Sequence, residues 1–275
     1  MKATEWEKVL LSATGSVRRE ILPLAQRGSR ARTIGTGASG DKTIYADKVA
    51  EDELLKVLGK VAGVRILSEE AGMIGDTGAR TLAVIDPLDG SSNFERGLPF
   101  YCTSVGIVEV SSGEVIVGVV RDLRTGDVYS AQKGKGATKN GKPIRTSGTS
   151  DLSNAVVGVD VSSPPPGLVA DLVPLFEGVK RQVHLGANAL EICYLAEGKI
   201  DAFVDFRGRI RVTDFAAANL IAHEAGAKIT DSEGEELVPA FDLEHRFSFV
   251  ASANEVIHGR ILGLCGSEAR RGASS

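Results

Sequence analysis

Residues 81–85, with the sequence TLAVI, form a mostly apolar run that leads directly into Asp86. A strand without a polar face is covered on both sides, so this run predicts a layered fold with other elements above and below it. The carboxyl end of such a strand opens into a crevice where functional groups of α/β proteins commonly gather. Asp86 is therefore expected at the mouth of a crevice.

The residues after this strand favour a metal site. Pro87 fixes φ and removes one N–H, while Gly90 permits a close backbone approach that a side chain would block. Asp86, Asp89 and the Leu88 carbonyl can then converge, and oxygen ligands of this kind suit Mg²⁺. The following GSSN offers amides and hydroxyls for a phosphate at a predicted helix start. A turn without function is the alternative for DPLDG alone, since Asp-Pro and Asp-Gly are common turn pairs.

Two amphipathic helices are predicted near the beginning of the chain. In the first, apolar residues recur at spacings of three and four from Trp6 to Leu24, and Pro23 and Gly28 are expected to end the helix. The second is expected from about residue 46 to residue 61. The stretch between them is rich in Gly, Ser and charged residues, which predicts a mobile loop.

A change of pattern divides the rest of the chain. From residue 64, short strand-like runs and the hairpin sequence Asn140-Gly141 predict a largely antiparallel sheet with a type I′ turn. After residue 150, strands and helices alternate, which is typical of an α/β unit. We therefore expect an N-terminal α+β subdomain, residues 1–150, with most metal ligands, and a C-terminal α/β subdomain, residues 151–275, that completes the site.

Composition excludes several classes of function. The formal net charge of −4 and the lack of a long Lys/Arg run argue against nucleic-acid or membrane-surface binding. No stretch has the length of a membrane span, and the N-terminus lacks a signal-type apolar core, so a cytoplasmic protein is expected. Cys102, Cys193 and Cys265 are far apart, which predicts reduced, mostly buried thiols.

Two further acidic positions also follow apolar elements. Glu69 and Glu70 end the run RILSEEAG, and Asp214 lies at the start of the Ala-rich helix in TDFAAANLIAHEAG. Taken singly, the glutamates favour a solvated charge pair, and Asp214 after Thr213 favours a helix cap. Their ordered combination with the DPLDG segment favours a shared metal site, because clustered carboxylates would otherwise repel one another.

The segments SEEAG, DPLDGSSNF and TDFAAANLIAHEAGA together resemble the signature set of the inositol monophosphatase superfamily of Mg²⁺-dependent, lithium-sensitive phosphatases. The resemblance extends over roughly residues 5 to 262 and is closest to the archaeal-type dual inositol-1-monophosphatase/fructose-1,6-bisphosphatase. It implies a layered α-β-α-β-α sandwich of the sugar-phosphatase type, two or three Mg²⁺ ions in each active site, and a homodimer.

The resemblance also implies roles for individual residues. It assigns metal coordination to Glu69, Asp86, the Leu88 carbonyl, Asp89 and Asp214. Gly90 and Ser91 would hold the phosphate, together with Asp89 and Asp214 as substrate contacts. Asp47 would orient Ser91 or a water molecule, so that Asp47, Glu69 and Ser91 are the expected catalytic residues. The sugar site is assigned to Gly186, Ala187, Asn188 and Arg207, and a second phosphate to Arg181.

The chain departs from the family pattern at several positions. Ser68 precedes the acidic pair where many members have Gly, and Thr213 precedes Asp214 where the eukaryotic inositol enzymes have Trp. A lysine that several relatives carry in the early loop is missing near Thr36. These differences concern the substrate and a third metal rather than the two-metal chemistry.

The resulting hypothesis is hydrolysis of inositol 1-phosphate or fructose 1,6-bisphosphate by direct attack of a metal-activated water. Glu69, Asp86 and the Leu88 carbonyl would hold the ion that activates the water, and Asp86, Asp89 and Asp214 would hold the ion that stabilises the leaving group. The main alternative is a related phosphatase acting on a nucleotide, such as 3′-phosphoadenosine 5′-phosphate or NADP.

Three other classes of site fit less well. GTGASG, residues 35–40, matches the dinucleotide fingerprint, but RGSRARTI precedes it where an apolar strand is required, so a loop closing over the metals, flanked by Asp41 and Asp47, is favoured. A Ca²⁺-binding module would need a 12-residue loop ending in Glu. A Ser-His-Asp hydrolase would need a nucleophile sequence such as GxSxG, and the four histidines are expected in structural contexts.

Overall fold

The computed structural model describes residues 1–26, 32–40 and 42–265. The helices in these residues are α1 (Ala3–Gln26), α2 (Tyr45–Leu58), α3 (Ser91–Arg96), α4 (Leu168–Asp171), α5 (Val173–Gly178), α6 (Asn188–Ala196), α7 (Val212–Glu224) and α8 (Glu255–Cys265). The strands are β1 (Thr33–Thr36), β2 (Lys42–Ile44), β3 (Val64–Ser68), β4 (Gly72–Ile74), β5 (Thr81–Asp89), β6 (Cys102–Glu109), β7 (Glu114–Asp122), β8 (Val128–Gln132), β9 (Ala137–Lys139), β10 (Lys142–Ile144), β11 (Val156–Val159), β12 (Arg181–Val183), β13 (Ala202–Ile210), β14 (Lys228–Thr230) and β15 (Phe247–Ser252).

Two large sheets and three helical layers alternate in the described residues. One sheet has the order β10-β9-β8-β7-β6-β5-β3-β4 and is antiparallel except for the β3–β5 pair. The other has the order β12-β11-β13-β15-β14 and is mixed. Helices α1 and α2 cover the outer face of the first sheet, α6 and α7 lie between the sheets, and α4, α5 and α8 cover the second. This is the expected α-β-α-β-α sandwich.

The apolar strand β5 lies at the centre of this arrangement and explains the layering. All its residues from Leu82 to Asp89 are buried. Ala83 and Ile85 pack in the core with α1 and α2, while Leu82 and Val84 pack on the opposite face with Ala216 of α7. The prediction that both faces of this strand are covered is confirmed.

The central core joins the two halves of the chain. Tyr129 and Val120 of the first sheet, Phe215 of α7, and Phe203 and Phe249 of the second sheet belong to one buried cluster. Helix α7 therefore buries apolar surface against both sheets, which stabilises their association. The division into subdomains near residue 150 stays a proposal.

Several predicted boundaries differ from those in the structure. Pro23 does not end the first helix, which continues to Gln26. Proline has no N–H, so the Arg19 carbonyl has no amide partner one turn later, but both residues are exposed and water can solvate this carbonyl. Gly28 lies outside the described residues. Helix α2 begins at Tyr45 and ends at Leu58, three residues before the predicted end.

The early segment that was predicted as a loop forms a β-hairpin in its described part. Strand β1 pairs antiparallel with β2, and the turn between them contacts the first sheet through Ala38 N to Glu70 O (2.8 Å) and Ser39 N to Glu69 O (3.1 Å). A dinucleotide fingerprint requires a strand followed directly by a helix, so this hairpin does not support that interpretation. Asp41 lies outside the described residues.

The β9–β10 turn and the cysteines agree with the sequence-based predictions, whereas three further elements were not predicted. Asn140 and Gly141 both have positive φ, 52° and 74°, which confirms the turn between β9 and β10. All three cysteines are buried. Strands β4 and β15 and helix α8 were not predicted. None of the helices in the described ranges has the length and hydropathy needed to cross a membrane.

The close contact of β7 with α7 gives a stability prediction. A Cβ on Gly118 would lie 2.6 Å from Ala217 O and 3.1 Å from Ala217 Cα, both backbone atoms. Gly118→Ala should therefore lower the free energy of unfolding by about 1–3 kcal/mol because the core cannot absorb the extra atom. Urea unfolding followed by circular dichroism measures this change. Gly148→Ala is the matched control, since a Cβ there meets nothing within 4 Å; equal losses in the two variants would contradict the packing argument.

Candidate active site

A bulge near the end of β5 aims two aspartates. Asp86 pairs with Ser104 of β6, and Asp89 pairs with Cys102, so three steps along β5 match two steps along β6. The sequence predicted that the strand would stop at Asp86, but it continues to Asp89 through this irregularity. Because a bulge changes the direction of the side chains around it, both carboxylates lie at the same cleft despite their odd spacing.

Three carboxylates from separate elements meet at this point. Glu69 follows β3, Asp86 lies on β5, and Asp214 lies in the first turn of α7; their ligand oxygens lie within 4.8 Å of one another. Strands β3 and β5 are parallel neighbours, which explains why residues at their carboxyl ends meet. Asp214 is not the N-cap residue of α7, since Arg211 occupies that position. The predicted convergence of these three acids is present in the structure.

The electrostatics of the cluster favour a bound cation. Burial raises the pKa of Glu69 and of Asp86 well above their usual values, and the charges of the neighbouring acids raise them further. The pKa of Asp214 is also raised, chiefly by burial. Arg211 Nη1 lies 2.6 Å from Glu69 Oε1, and the charges of Arg211 and Arg246 partly offset the rise in the pKa of Asp214. Several carboxylates cannot ionise together in such a site without further positive charge.

Asp89 lies beside the three-carboxylate cluster and has additional partners. Its Oδ2 accepts a hydrogen bond from Ala189 N (2.7 Å) and its Oδ1 from Asn188 N (3.2 Å), both at the start of α6. Burial and the Asp214 charge raise the pKa of Asp89 to about 7. The Cys102 thiol also donates to Oδ2 (3.5 Å). Each carboxylate oxygen has two lone pairs, so Oδ1 keeps one with which Asp89 could bind a metal. The Leu88 backbone is also at the site, where its amide donates to Asp86 Oδ1 (3.0 Å).

Only one of the two carboxylate oxygens of Asp47 has a hydrogen-bond partner among the described residues. Its Oδ2 accepts from Ile44 N (2.6 Å), whereas Oδ1 is buried and has no hydrogen-bond partner among the described residues. Burial, assisted by the charges of Glu70 and Glu95, raises its pKa to about 7. A buried polar atom without a partner is costly, so Oδ1 is suited to receive a proton donor from a ligand or water.

Gly90 and Ser91 form the start of α3 next to the acids. Gly90 has a φ of 86°, and a Cβ there would lie 3.0 Å from both Ala187 Cβ and Phe100 O, so no other residue fits without displacement. The first helical hydrogen bond in α3 is Phe94 N to Gly90 O, which leaves the amides of residues 91–93 outside the helical ladder. These amides are therefore available to donate hydrogen bonds to a phosphate, as the sequence predicts.

The segment before α6 forms the opposite wall of the cleft. Gly186 and Asn188 line the cleft, and Ala187 is buried behind it against Gly90. Two side chains hold this segment: Asn93 Nδ2 donates to Leu185 O (2.6 Å), and Glu191 Oε1 accepts from Leu185 N (2.9 Å) and Gly186 N (2.8 Å). Asn93 itself lines the cleft, whereas Glu191 is buried, so the wall is held both from the cleft and from the protein interior.

The two predicted arginines differ in position. Arg207 lines the cleft, where Asp160, Asp205 and Ser162 hold its guanidinium; Nη2 lies 2.5 Å from a carboxylate oxygen of each aspartate. Arg181 is exposed at the amino end of β12 and is not among the residues that line the cleft. The cleft lies at the carboxyl end of β12, where His184 lines it. A three-residue strand is about 10 Å long, so Arg181, at the other end of β12, is not brought to the other predicted residues.

The cleft also contains charged residues that the sequence analysis missed. Its volume is about 840 Å³, and its further lining residues include Lys42, Asp160, His184, Arg209, Arg211 and Arg246. A signal was present in the alternation of arginines in DFRGRIR, residues 205–211. An irregularity in the pairing of β13 with β15 between Asp205 and Ile210 lies within this stretch. His184 was expected in a structural context, yet it lies in the cleft with Nε2 3.6 Å from Asp160 Oδ1.

Comparisons with known proteins agree with this geometry. Residues 4–268 match the Inositol monophosphatase family. The fructose-1,6-bisphosphatase/inositol-1-monophosphatase of Methanocaldococcus jannaschii is 36% identical over 260 residues, covering 94% of this chain and 99% of that protein. A crystal structure of an inositol monophosphatase–fructose 1,6-bisphosphatase superposes with a TM-score of 0.87 at 36% identity, covering 96% of this chain and 100% of the other.

A second kind of relative is a longer, bifunctional protein. The bifunctional NADP phosphatase/NAD kinase of Methanococcus maripaludis is 30% identical over 286 residues, which cover 96% of this chain and 50% of that protein. One assignment follows from the match over nearly the whole chain and from the shared fold. The acidic cluster, which lies after β3, on β5 and at the start of α7, agrees with it. The chain belongs to the inositol monophosphatase family.

Proposed function

We propose that the protein is a Mg²⁺-dependent phosphomonoesterase that hydrolyses small sugar or polyol phosphates, namely inositol 1-phosphate, fructose 1,6-bisphosphate or both. The observation that carries this proposal is the meeting of Glu69, Asp86 and Asp214 beside the start of α3. The family assignment supports a phosphoric monoester hydrolase, and the names of the archaeal relatives support the substrate class.

The residues at the site fit a divalent cation. They offer oxygen ligands alone, three of them within 4.8 Å of one another. Burial first, and then repulsion among the acids, raises the pKa of Glu69 and Asp86, and a cation would offset both effects. Mg²⁺ would be held by Glu69, Asp86, the Leu88 carbonyl, Asp89 and Asp214. When bound, it supplies charge neutralisation at the phosphoryl oxygens and lowers the pKa of water.

The remaining residues would position the substrate and the nucleophile. The amides at the start of α3 and the Ser91 hydroxyl would bind phosphoryl oxygens, because a helix start presents N–H groups to an anion. Asp47 Oδ1 would accept a hydrogen bond from Ser91 or from the attacking water and so fix its orientation. Gly186 and Asn188 would face the polyol, with Arg207 close by.

The lining of the cleft favours a polyol over a nucleotide. Among the described residues that line it there is no Phe, Tyr or Trp on which an adenine could stack, and most are charged or small polar residues. Hydroxyl groups of a sugar can hydrogen-bond to such a lining. Lithium sensitivity, a homodimer, a cytoplasmic location and the exact number of metal ions stay predictions.

Substrate choice is the first test. We expect kcat/KM for inositol 1-phosphate or fructose 1,6-bisphosphate to exceed that for NADP and for 3′-phosphoadenosine 5′-phosphate by at least about tenfold, since no Phe, Tyr or Trp is among the described residues that line the cleft. Steady-state phosphate release at one Mg²⁺ concentration measures all four values. A nucleotide as the best substrate would show that the alternative activity is the correct one.

Removal of a carboxylate is the second test. Loss of a residue that only supports a metal ligand typically lowers activity by about 10- to 100-fold. Asp214→Asn should reduce kcat by more than this, because it removes a charge from the proposed ligand itself. Circular dichroism should show a folded protein. Asp171→Asn, at an exposed position on α4, is the control and should keep full activity. Full, Mg²⁺-independent activity of Asp214→Asn would refute the proposed chemistry.

The pH dependence of stability is the third test. In the unfolded chain the aspartates lose their protons near 3.8, whereas Asp47 and Asp89 in the metal-free fold keep theirs until about 7. The folded state therefore binds more protons between these values, and the metal-free protein should lose stability as pH rises from about 4 to about 7.

Mg²⁺ should reverse this loss where the acids are ionised. We expect the rise in Tm on adding Mg²⁺ to be larger at about pH 8 than at about pH 5, because binding at low pH must first displace protons. Thermal unfolding with EDTA or Mg²⁺ at each pH gives the four values. A Mg²⁺ effect that is equal or larger at the lower pH would contradict binding at these carboxylates.

A further inference from the structure

A second cluster of charge lies on the outer face of the first sheet, between α1 and the β7–β8 turn. It consists of Arg18 and Arg19 on α1 and Arg121 on β7, and we call it the arginine cluster. Val117 and Val119 of β7 face the core under α1, whereas Gly118 faces α7. Arg121 shares the side of Val119 because side chains alternate along a strand. The arginine cluster is therefore separate from the active-site cleft, whose lining includes none of its members.

Two glycines show how closely the guanidinium groups approach. A Cβ on Gly15 would lie 3.8 Å from Arg121 Nη2 and 3.9 Å from Arg19 Nη1. At Gly126, in the turn after β7, a Cβ would lie 3.0 Å from Arg18 Nε, and the carbonyl there accepts from Arg121 Nη1 (3.5 Å). Arg121 thus lies between the other two side chains, with Gly15 and Gly126 leaving the space.

No carboxylate compensates the three positive charges in the described part of the chain. None of the ion pairs found there involves Arg18, Arg19 or Arg121, although the chain has 36 acidic residues and 32 basic ones. Burial lowers the pKa of Arg121, and the charges of Arg18 and Arg19 lower it further. Arg18 Nε is buried and has no hydrogen-bond partner among the residues that the structure describes. Like charges held together without a counter-charge are unfavourable, which makes an external anion the natural partner.

The position of Arg121 is fixed by the protein itself. Its Nε donates to Thr14 Oγ1 (3.1 Å) and its Nη2 to Leu11 O (3.1 Å), both on α1. A guanidinium has five N–H donors, and these bonds together with that to Gly126 leave two of them for a ligand. A pre-positioned arginine flanked by two more favours oxyanions such as phosphate and sulfate, because the guanidinium group can bind two of their oxygens through paired hydrogen bonds.

A cavity next to the arginine cluster offers room for the rest of a ligand. It has a volume of about 350 Å³ and is lined by Leu22 and Ala25 of α1, by Phe94 and Tyr101, and by Arg124 of the same turn as Gly126. Leu22 lies one helical turn beyond Arg18, on the same face of α1. An anion at the arginine cluster could therefore carry a small apolar or ring-shaped group into this cavity.

We propose that Arg18, Arg19 and Arg121 form a binding site for a multivalent oxyanion, such as the phosphate group of a small molecule, that is distinct from the active site. The proposal does not depend on the substrate of the active site. Inorganic sulfate is the probe, because it presents the oxyanion without an organic part.

The test compares thermal unfolding in low-millimolar Na₂SO₄ with that in NaCl of equal ionic strength, with EDTA present to keep the active site free of metal. Wild-type protein should gain about 3 °C in Tm when sulfate exceeds its Kd about tenfold. The gain should vanish in the double variant Arg18→Gln/Arg19→Gln and shrink in Arg19→Gln, where an exposed side chain is changed and folding is not at risk. Arg209→Gln removes a cleft arginine and is the matched control, which should keep the gain.

Two results separate this site from general salt effects. In NaCl alone at low ionic strength, the double variant should be at least as stable as the wild type, because it lacks the repulsion among the arginines. Isothermal titration with sulfate should show binding to the wild type that the double variant lacks. An equal sulfate gain in the double variant, or no gain over NaCl in the wild type, overturns the proposal.

Discussion

Repulsion among buried carboxylates is the constraint on which the active site depends. Glu69, Asp86 and Asp214 are each brought to the cleft by an element whose other residues are fixed in a core, and burial makes their negative charges unfavourable. Strand β5 packs against both β3 and α7, so the backbone positions from which the three acids extend are fixed relative to one another. Free energy from apolar burial therefore holds the charges together, and a cation is the partner that makes the arrangement favourable.

The bulge in β5 connects the sheet to the substrate side of the cleft. By placing both Asp86 and Asp89 at the cleft, it lets one strand contact the acidic cluster through Asp86 and the start of α6 through Asp89. Helix α6 in turn begins beside the wall formed by Gly186 and Asn188. A few hydrogen bonds across two layers thus fix the segment that we propose to face the sugar relative to the acidic cluster.

Local signals explain why parts of this arrangement could be predicted. The apolar run before Asp86, the Asn140-Gly141 turn and the acids after apolar elements each depend on short-range chemistry that the sequence shows directly. The continuation of α1 past Pro23 could not be predicted, because it depends on the exposure of that side of the helix. The placement of Arg209 and His184 in the cleft also depends on how parts of the chain that are distant in sequence meet. The position of Arg181 away from the cleft depends on the register of β12, which the sequence does not show. Roles of the individual site residues stay proposals.

The hairpin β1–β2 lies against the acidic turn through two backbone hydrogen bonds, Ala38 N to Glu70 O and Ser39 N to Glu69 O, and it leads directly into α2, which carries Asp47. These contacts make the hairpin a mechanical link between the residue expected to orient the nucleophile and a residue expected to bind the metal. A displacement of the hairpin would change both positions at once. A movement of the hairpin away from the sheet would therefore shift the groups that we propose to orient the nucleophile and to bind the metal at the same time.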